Sequence, residues 1–248
     1  MKTLGMFAKQ PVAGRVKTRL AADWGDTRAA ALYECFVRDL LGRFSSTGDR
    51  RVVGFAPDSD EAREWFGSAA DILLPVGNRI NAVTTNVADN WQLWPQPDVD
   101  LGGRIVAFFD TWCCSDDDRT ILIGSDSPSI PASYLDDAWS LLDSHDCVIG
   151  PAADGGYWLI GLRGPARRGS ALFDSIEWSS PGVFGQTVER LREINLQFGL
   201  LPVWYDVDTL AAVTTLHGHL RGLALAGQSV DLPHTTRCLE DQFRSESP

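Results

Sequence analysis

The first twenty residues constrain this chain most: a short apolar run ends in Lys9-Gln-Pro-Val-Ala-Gly-Arg-Val-Lys-Thr-Arg-Leu20. They carry five basic side chains (Lys2, Lys9, Arg15, Lys17 and Arg19) and no acid, in a protein of net charge −11. Those three lysines are the only ones in the sequence; every other strong cation is an arginine. A buried strand that runs into a Gly/Pro loop crowded with cations, with a helix behind it, is suited to holding phosphate. Backbone N–H groups near a helix start and mobile side-chain cations can converge on one anion. The plain alternative is a solvated basic turn.

The rest of the chain sharpens that choice. With pI ≈ 4.7, the protein lacks the basic footprint of a general nucleic-acid binder and does not suit adhesion to anionic lipid. A local positive loop on an acidic background fits a small phosphorylated ligand better than a polyanion. The five cysteines are odd in number and show no Cys-x-x-Cys spacing, which reads as reduced thiols in a cytoplasmic protein. Lys9 and Pro11 cut the first apolar run short, so no signal peptide is expected, and no stretch approaches the ~20 apolar residues of a membrane span. The 248 residues can bury a sizeable core. They read as one domain over 1–227 with a partly ordered tail at 228–248.

Apolar runs predict strands at 3–8, 51–56, 120–124, 147–149, 157–162 and 201–205, with a weaker one at 71–76. Helical spacing predicts helices at 26–44, 59–66, 101–113, 133–142, 183–194 and 209–225. Residues 77–98, with Trp91 and Trp94, lack periodicity and read as a long functional loop, those two rings and Trp112 as packing residues. This alternation predicts an α/β fold with a mostly parallel central sheet flanked by helices.

In such sheets ligands sit outside the carboxyl ends of the strands, and four unusual clusters share that address. They are the Lys9–Arg19 loop, Gly124-Ser-Asp-Ser-Pro128, Gly150-Pro-Ala-Ala-Asp-Gly-Gly-Tyr157 and Asp206-Val-Asp-Thr209. Asp126, held where Pro128 ends a strand, suits a hard divalent cation that bridges phosphate oxygens, Mg²⁺ or Mn²⁺. An Asx turn is its structural alternative. Asp206 and Asp208 alternate along the end of an expected strand, which would point them to one side, and Asp208 would complete the metal shell. Asp208 is also placed to cap the helix at Thr209. Asp154-Gly155-Gly156 is a favoured hairpin turn, yet its glycines could admit a ligand, Tyr157 and Trp158 could offer flat faces to a sugar or base, and the aromatic turn at Trp178-Ser-Ser-Pro181 could close over the site. Asp154 is the candidate for acceptor binding or general base. Gly14 would let the loop backbone approach a phosphate. The four histidines show no zinc-type spacing and read as structural.

These motifs resemble the DUF2064 proteins, glycosyltransferase-like members of the GT-A superfamily. The resemblance runs through Phe7–Leu20, Asp100-Leu-Gly-Gly-Arg104, Gly124–Ile130, Asp154–Leu162, Trp178-Ser179 and Asp206–Thr209, covering about residues 1 to 215 in order. It implies a nucleotide-diphospho-sugar transferase fold with Lys9, Gly14, Arg15, Lys17, Arg19, Arg104 and Ser125 at the nucleotide. It further implies Gly155, Gly156, Tyr157 and Trp178 at the substrate, and a small-molecule acceptor. The same fold hosts nucleotidyltransferases, which release pyrophosphate from an NTP and a phosphorylated acceptor. Fold alone does not choose between these chemistries, and a non-catalytic nucleotide-binding module also stays open. The Asp-x-Asp of many GT-A transferases is replaced here by Asp126-Ser127-Pro128.

Overall fold

The computed structural model describes residues 1–71, 91–164 and 170–245. The strand expected at 71–76 falls outside them but for Asp71, as does the expected loop from 77 to 90. The described strands are β1 (Lys2–Lys9), β2 (Arg50–Ala56), β3 (Gln92–Pro95), β4 (Arg119–Gly124), β5 (Cys147–Pro151), β6 (Tyr157–Arg163) and β7 (Phe198–Leu200). They form one seven-stranded sheet in the order β3-β2-β1-β4-β6-β5-β7. Every pair is parallel except those made by β6, which runs antiparallel to both β4 and β5. Consequently the carboxyl ends of β1, β2, β4 and β5 open onto one edge, the edge at which β6 begins.

The helices are α1 (Thr18–Trp24), α2 (Asp26–Arg43), α3 (Asp60–Asp71), α4 (Leu101–Trp112), α5 (Ala132–Leu141), α6 (Val183–Glu193), α7 (Leu210–Leu225) and α8 (Pro233–Ser245). Strand side chains alternate between the two faces of the sheet. On β4, Ile121 and Ile123 join a core with α1, α2, α5 and α7, whereas Leu122 joins Phe108 and Phe109 of α4 on the other face. On β1, Leu4, Met6 and Ala8 face the first core. Gly5 leaves room on the second face: a Cβ there would lie 2.1 Å from the Phe108 ring.

Several expectations change. The helix expected from residue 26 is α2, but it is preceded by a separate short helix, α1. Within the 77–98 segment, β3 adds an edge strand, and Trp91 is buried with its indole N–H donating to Leu41 O at 2.9 Å. The strand expected at 201–205 is displaced to 198–200, because Pro202 has no N–H to offer a ladder. Leu201 and Trp204 still donate to Ile149 O and Pro151 O of β5. Asp206 and Asp208 therefore lie in an irregular segment, not along a strand.

The segment expected as a tail contains α8, packed on α2. Asp39, buried in α2, accepts the first free N–H groups of α8 from His234 (3.0 Å) and Thr235 (2.8 Å). This is a helix cap supplied from 195 residues away. Asp39→Ala is expected to cost about 2 kcal/mol, as for a lost cap with charged hydrogen bonds. Hydrogen exchange should show the loss as faster exchange confined to 233–245 relative to the sheet.

Candidate functional site

A cavity of about 520 Å³ opens at the carboxyl edge of the sheet, between β1, β4 and the start of β6. Of the expected site residues, Lys9, Arg15, Lys17, Arg19, Arg104, Ser125, Asp126, Tyr157 and Asp208 line it. Lys9 and Arg15 are exposed and carry no ion-pair partner among the described residues. Gly14 does not line the cavity but shapes the loop: its φ of 76° is the left-handed conformation that glycine adopts without strain.

The turn after β4 is clamped from behind. Arg43 of α2 donates to Pro128 O and Ile130 O, and Tyr33 of α2 hydrogen-bonds Ser125 Oγ at 2.7 Å. The Tyr33 hydroxyl also accepts the Lys9 N–H at 3.0 Å, tying the ends of β1 and β4 together. Burial, together with the Asp126 carboxylate, pushes the Tyr33 hydroxyl up to about 12, so it stays protonated. The backbone of this turn then recruits the last cluster: Asp126 O accepts the Val207 N–H at 2.9 Å, which carries Asp208 alongside Asp126. Thr209, not Asp208, caps α7, accepting from Ala212 N. Asp208 is thus left facing the cavity.

Both carboxylates converge on one cation. Lys17 Nζ lies 2.5 Å from Asp126 Oδ1 and 2.8 Å from Asp208 Oδ1, while Arg19 donates to Asp208 Oδ2. The Lys17 side chain is only 3% exposed. Burial by itself would lower the Lys17 pKa, but the two aspartates outweigh it and hold the ammonium above the usual lysine value. For Asp208, burial pulls upward, and Lys17 and Arg19 more than reverse it, leaving the carboxyl below its usual range. Asp206, by contrast, bonds Ser127 Oγ, and burial with the nearby carboxylates raises it to about 6.

The chemistry of this donor set fits a hard divalent cation, because two carboxylates from separate segments already share a single cation position. Among the described residues no third acid, histidine or cysteine completes a cluster. Phosphate oxygens and water would have to supply the remaining ligands.

On the other side of the cavity, Asp100 caps α4 by accepting the Gly103 N–H at 2.8 Å. Gly102 is required for packing: a Cβ there would lie 2.4 Å from Trp178 Nε1. Arg104 donates through Nε to Val99 O, and its Nη1 is 3.5 Å from Gln96 Oε1. Gln96 is a lining residue absent from the sequence expectations. Its amide nitrogen donates to Gly54 O at 2.6 Å, while its Oε1 faces Arg104. The available signal was its position just past a strand end, hidden while 77–98 read as loop. Tyr33, another lining residue, lies within the helix expected at 26–44 and was likewise not among the expected site residues.

Part of the chain matches a known family. The residues 61–180 match the family model described as "Uncharacterized protein conserved in bacteria (DUF2064)". A crystal structure from Desulfovibrio desulfuricans G20, assigned to the nucleotide-diphospho-sugar transferases, is 30% identical over 98% of this chain and 95% of its own, with TM-score 0.78. The chain belongs to the DUF2064 family. A nucleotidyl transferase from Methanothermobacter shares the fold at 13% identity, over 90% of this chain and 99% of its own, with TM-score 0.55. No curated protein matches the sequence.

In this DUF2064 chain the Asp154-Gly155-Gly156 turn lies on the same sheet edge but does not line the cavity. Asp154 is exposed, and its Oδ1 accepts the Gly156 N–H at 3.0 Å, an Asx turn. Trp158 borders the cavity but is only 2% exposed, packed into the core with its indole N–H donating to Pro202 O. Trp178 is half-buried against Tyr157, Phe173 and Gly102 and lies outside the lining, whereas the neighbouring Ser179 is within it. Tyr157 reaches the cavity, but its hydroxyl is buried. No described helix is long and apolar enough to cross a membrane.

Proposed function

We propose that this DUF2064 protein is a metal-dependent transferase that moves a sugar from a nucleotide-diphospho-sugar to a small acceptor. The observation that carries the reading is the cavity itself, where Lys9, Arg15, Arg19 and Arg104 surround a carboxylate pair at the carboxyl ends of β1 and β4. Such a surface neutralises a diphosphate and orients it, which is where binding energy serves phosphate-leaving chemistry. Mg²⁺ or Mn²⁺ at Asp126 and Asp208 would offset the charge on the departing nucleotide diphosphate. Arg104 and Gln96 present donors and an acceptor suited to the edge of a base, and Ser125 helps hold the β4 turn in place.

Asp154, with Gly155 and Gly156, is proposed to face the acceptor beyond the phosphates. Asp154→Asn keeps the oxygen that accepts the Gly156 N–H, so it isolates the charge from the turn. Nucleotide-diphosphate affinity is expected to hold, with turnover reduced by about 10²-fold as for a lost general base. Unchanged turnover would assign Asp154 to the turn alone.

A second reading, nucleotidyl transfer, is favoured by the exposed Asp154 lying outside the cavity, since an acceptor phosphate needs no carboxylate base there. Calorimetry against UDP-, GDP-, ADP- and CDP-sugars and the NTPs, with Mn²⁺, separates the two. Binding and transfer from a nucleotide sugar supports the first. Pyrophosphate from an NTP, with no transfer or hydrolysis of any nucleotide sugar, overturns it.

A further inference from the structure

We propose that Lys17 is a resident cation that keeps divalent metal out of the Asp126–Asp208 seat until a diphosphate draws its ammonium away. The inference rests on the reading of this cavity as a nucleotide-diphosphate site. Lys17 Nζ sits 2.5 Å and 2.8 Å from one oxygen of each aspartate. A divalent ion shared by the same oxygens would stand at about 2.0–2.6 Å from them. Ammonium and metal therefore claim the same space, and only one can hold it.

The lysine is fixed there by more than the ion pairs. Its backbone adopts φ 49° and ψ 43°, a left-handed conformation uncommon for a residue with a side chain. That turn of the chain sends the side chain inward, with Nζ 5.5 Å and 5.6 Å from the ring centres of Tyr33 and Phe36. Metal arriving alone must expel a buried ammonium for which Asp126 and Asp208 are the described anionic partners. A diphosphate changes that balance. Lys9 and Arg15, exposed and without ion-pair partners among the described residues, attract it to the cavity, and its oxygens offer Lys17 a new anion. The flexible four-carbon stem allows the ammonium to follow. Diphosphate and metal then favour each other's binding, and the coupling is reciprocal.

The test uses the full chain and Mn²⁺ alone, with free Mn²⁺ counted by electron paramagnetic resonance. Lys17→Met keeps the length of the side chain and removes its charge. It is expected to bind Mn²⁺ about tenfold more tightly than the natural protein, within the usual span of coupling between sites. Adding Asp208→Asn to Lys17→Met should erase the gain, which locates the ion. Circular dichroism checks folding, and Lys17→Gln replaces Lys17→Met if the latter fails to fold. In parallel, UDP, GDP, CDP and ADP are titrated in EDTA, where Lys17→Met should bind the preferred diphosphate about tenfold more weakly. Opposite signs in the two titrations are the signature; a lysine that merely supports the fold would weaken both. Mn²⁺ binding to Lys17→Met no tighter than to the natural protein would overturn the inference. If no diphosphate binds either protein, the reading of the cavity falls, and the Mn²⁺ comparison still decides who holds the seat.

Discussion

Replacing Asp126 and Asp208 together with asparagine is expected to produce two couplings of opposite sign. For metal dependence, either Asp→Asn change should raise the Mn²⁺ needed for half-maximal turnover by about tenfold or more, and the pair should cost little beyond the worse single. Ligands of one ion act as a unit, so their losses do not add. For stability the reverse holds. With one carboxylate left, the buried Lys17 ammonium keeps a partner; with both gone, it has none. Removing the partners of a buried charge costs about 3–5 kcal/mol, and the lower end applies because the Asp126 side chain is 47% exposed. The double variant should therefore lose more stability than the sum of the singles. The pH dependence has a defined direction. Asp208 titrates below its ordinary range in the folded protein, so its contribution is present above that range and fades as acid protonates the folded carboxyl. Asp208→Asn should flatten the acid limb of a urea-unfolding series. Additive losses in both measurements would show that the two aspartates do separate jobs.

What the sequence made legible was the sheet edge. Long apolar runs bounded by turn residues located β1, β4 and β6, and the four clusters past the strand ends do gather on one side. Their convergence was readable because parallel topology places carboxyl ends together, whatever the side chains later do. The partners of those side chains were not readable. Lys17 was expected at the phosphates, but its pairing with the two carboxylates was not readable, because no local pattern announces a positive φ at lysine. Asp206 and Asp208 looked like neighbours on a strand; one bonds Ser127 and the other Lys17, because the ladder had already been interrupted at Pro202. The aromatic residues after the glycine turn looked like ligand platforms; both border the cavity, but Trp158 is packed into the core beside Tyr134 and is barely exposed. The last helix was missed for a similar reason. Its sequence is mostly polar, and the Asp39 contact that secures it comes from the opposite end of the chain.

Gly155→Val is expected to destabilise the protein by about 3 kcal/mol or more, while Gly156→Ala is expected to stay within about 1 kcal/mol. The two glycines are adjacent and look equivalent in sequence. Gly155 holds φ 96°, and a Cβ there would lie 2.1 Å from Pro181 O, a backbone atom that cannot rotate away. Relief requires separating the 152–156 turn from the chain at 181–184, which also breaks the hydrogen bond from Phe184 N to Gly155 O at 2.9 Å. At Gly156 the nearest atom to a Cβ is Asp154 Oδ1 at 3.4 Å, an ordinary contact. Gly155 is thus required by a close approach between two protein backbones, whereas the sequence alone suggested an approach to a ligand. Urea unfolding of both variants checks the energies, and diphosphate calorimetry on folded Gly155→Val checks the function. Because the turn lies outside the cavity lining, diphosphate affinity should survive the substitution wherever the fold does. A loss of diphosphate binding in a protein that still unfolds cooperatively would place the backbone of this turn at the phosphates, and the acceptor would then have to bind elsewhere.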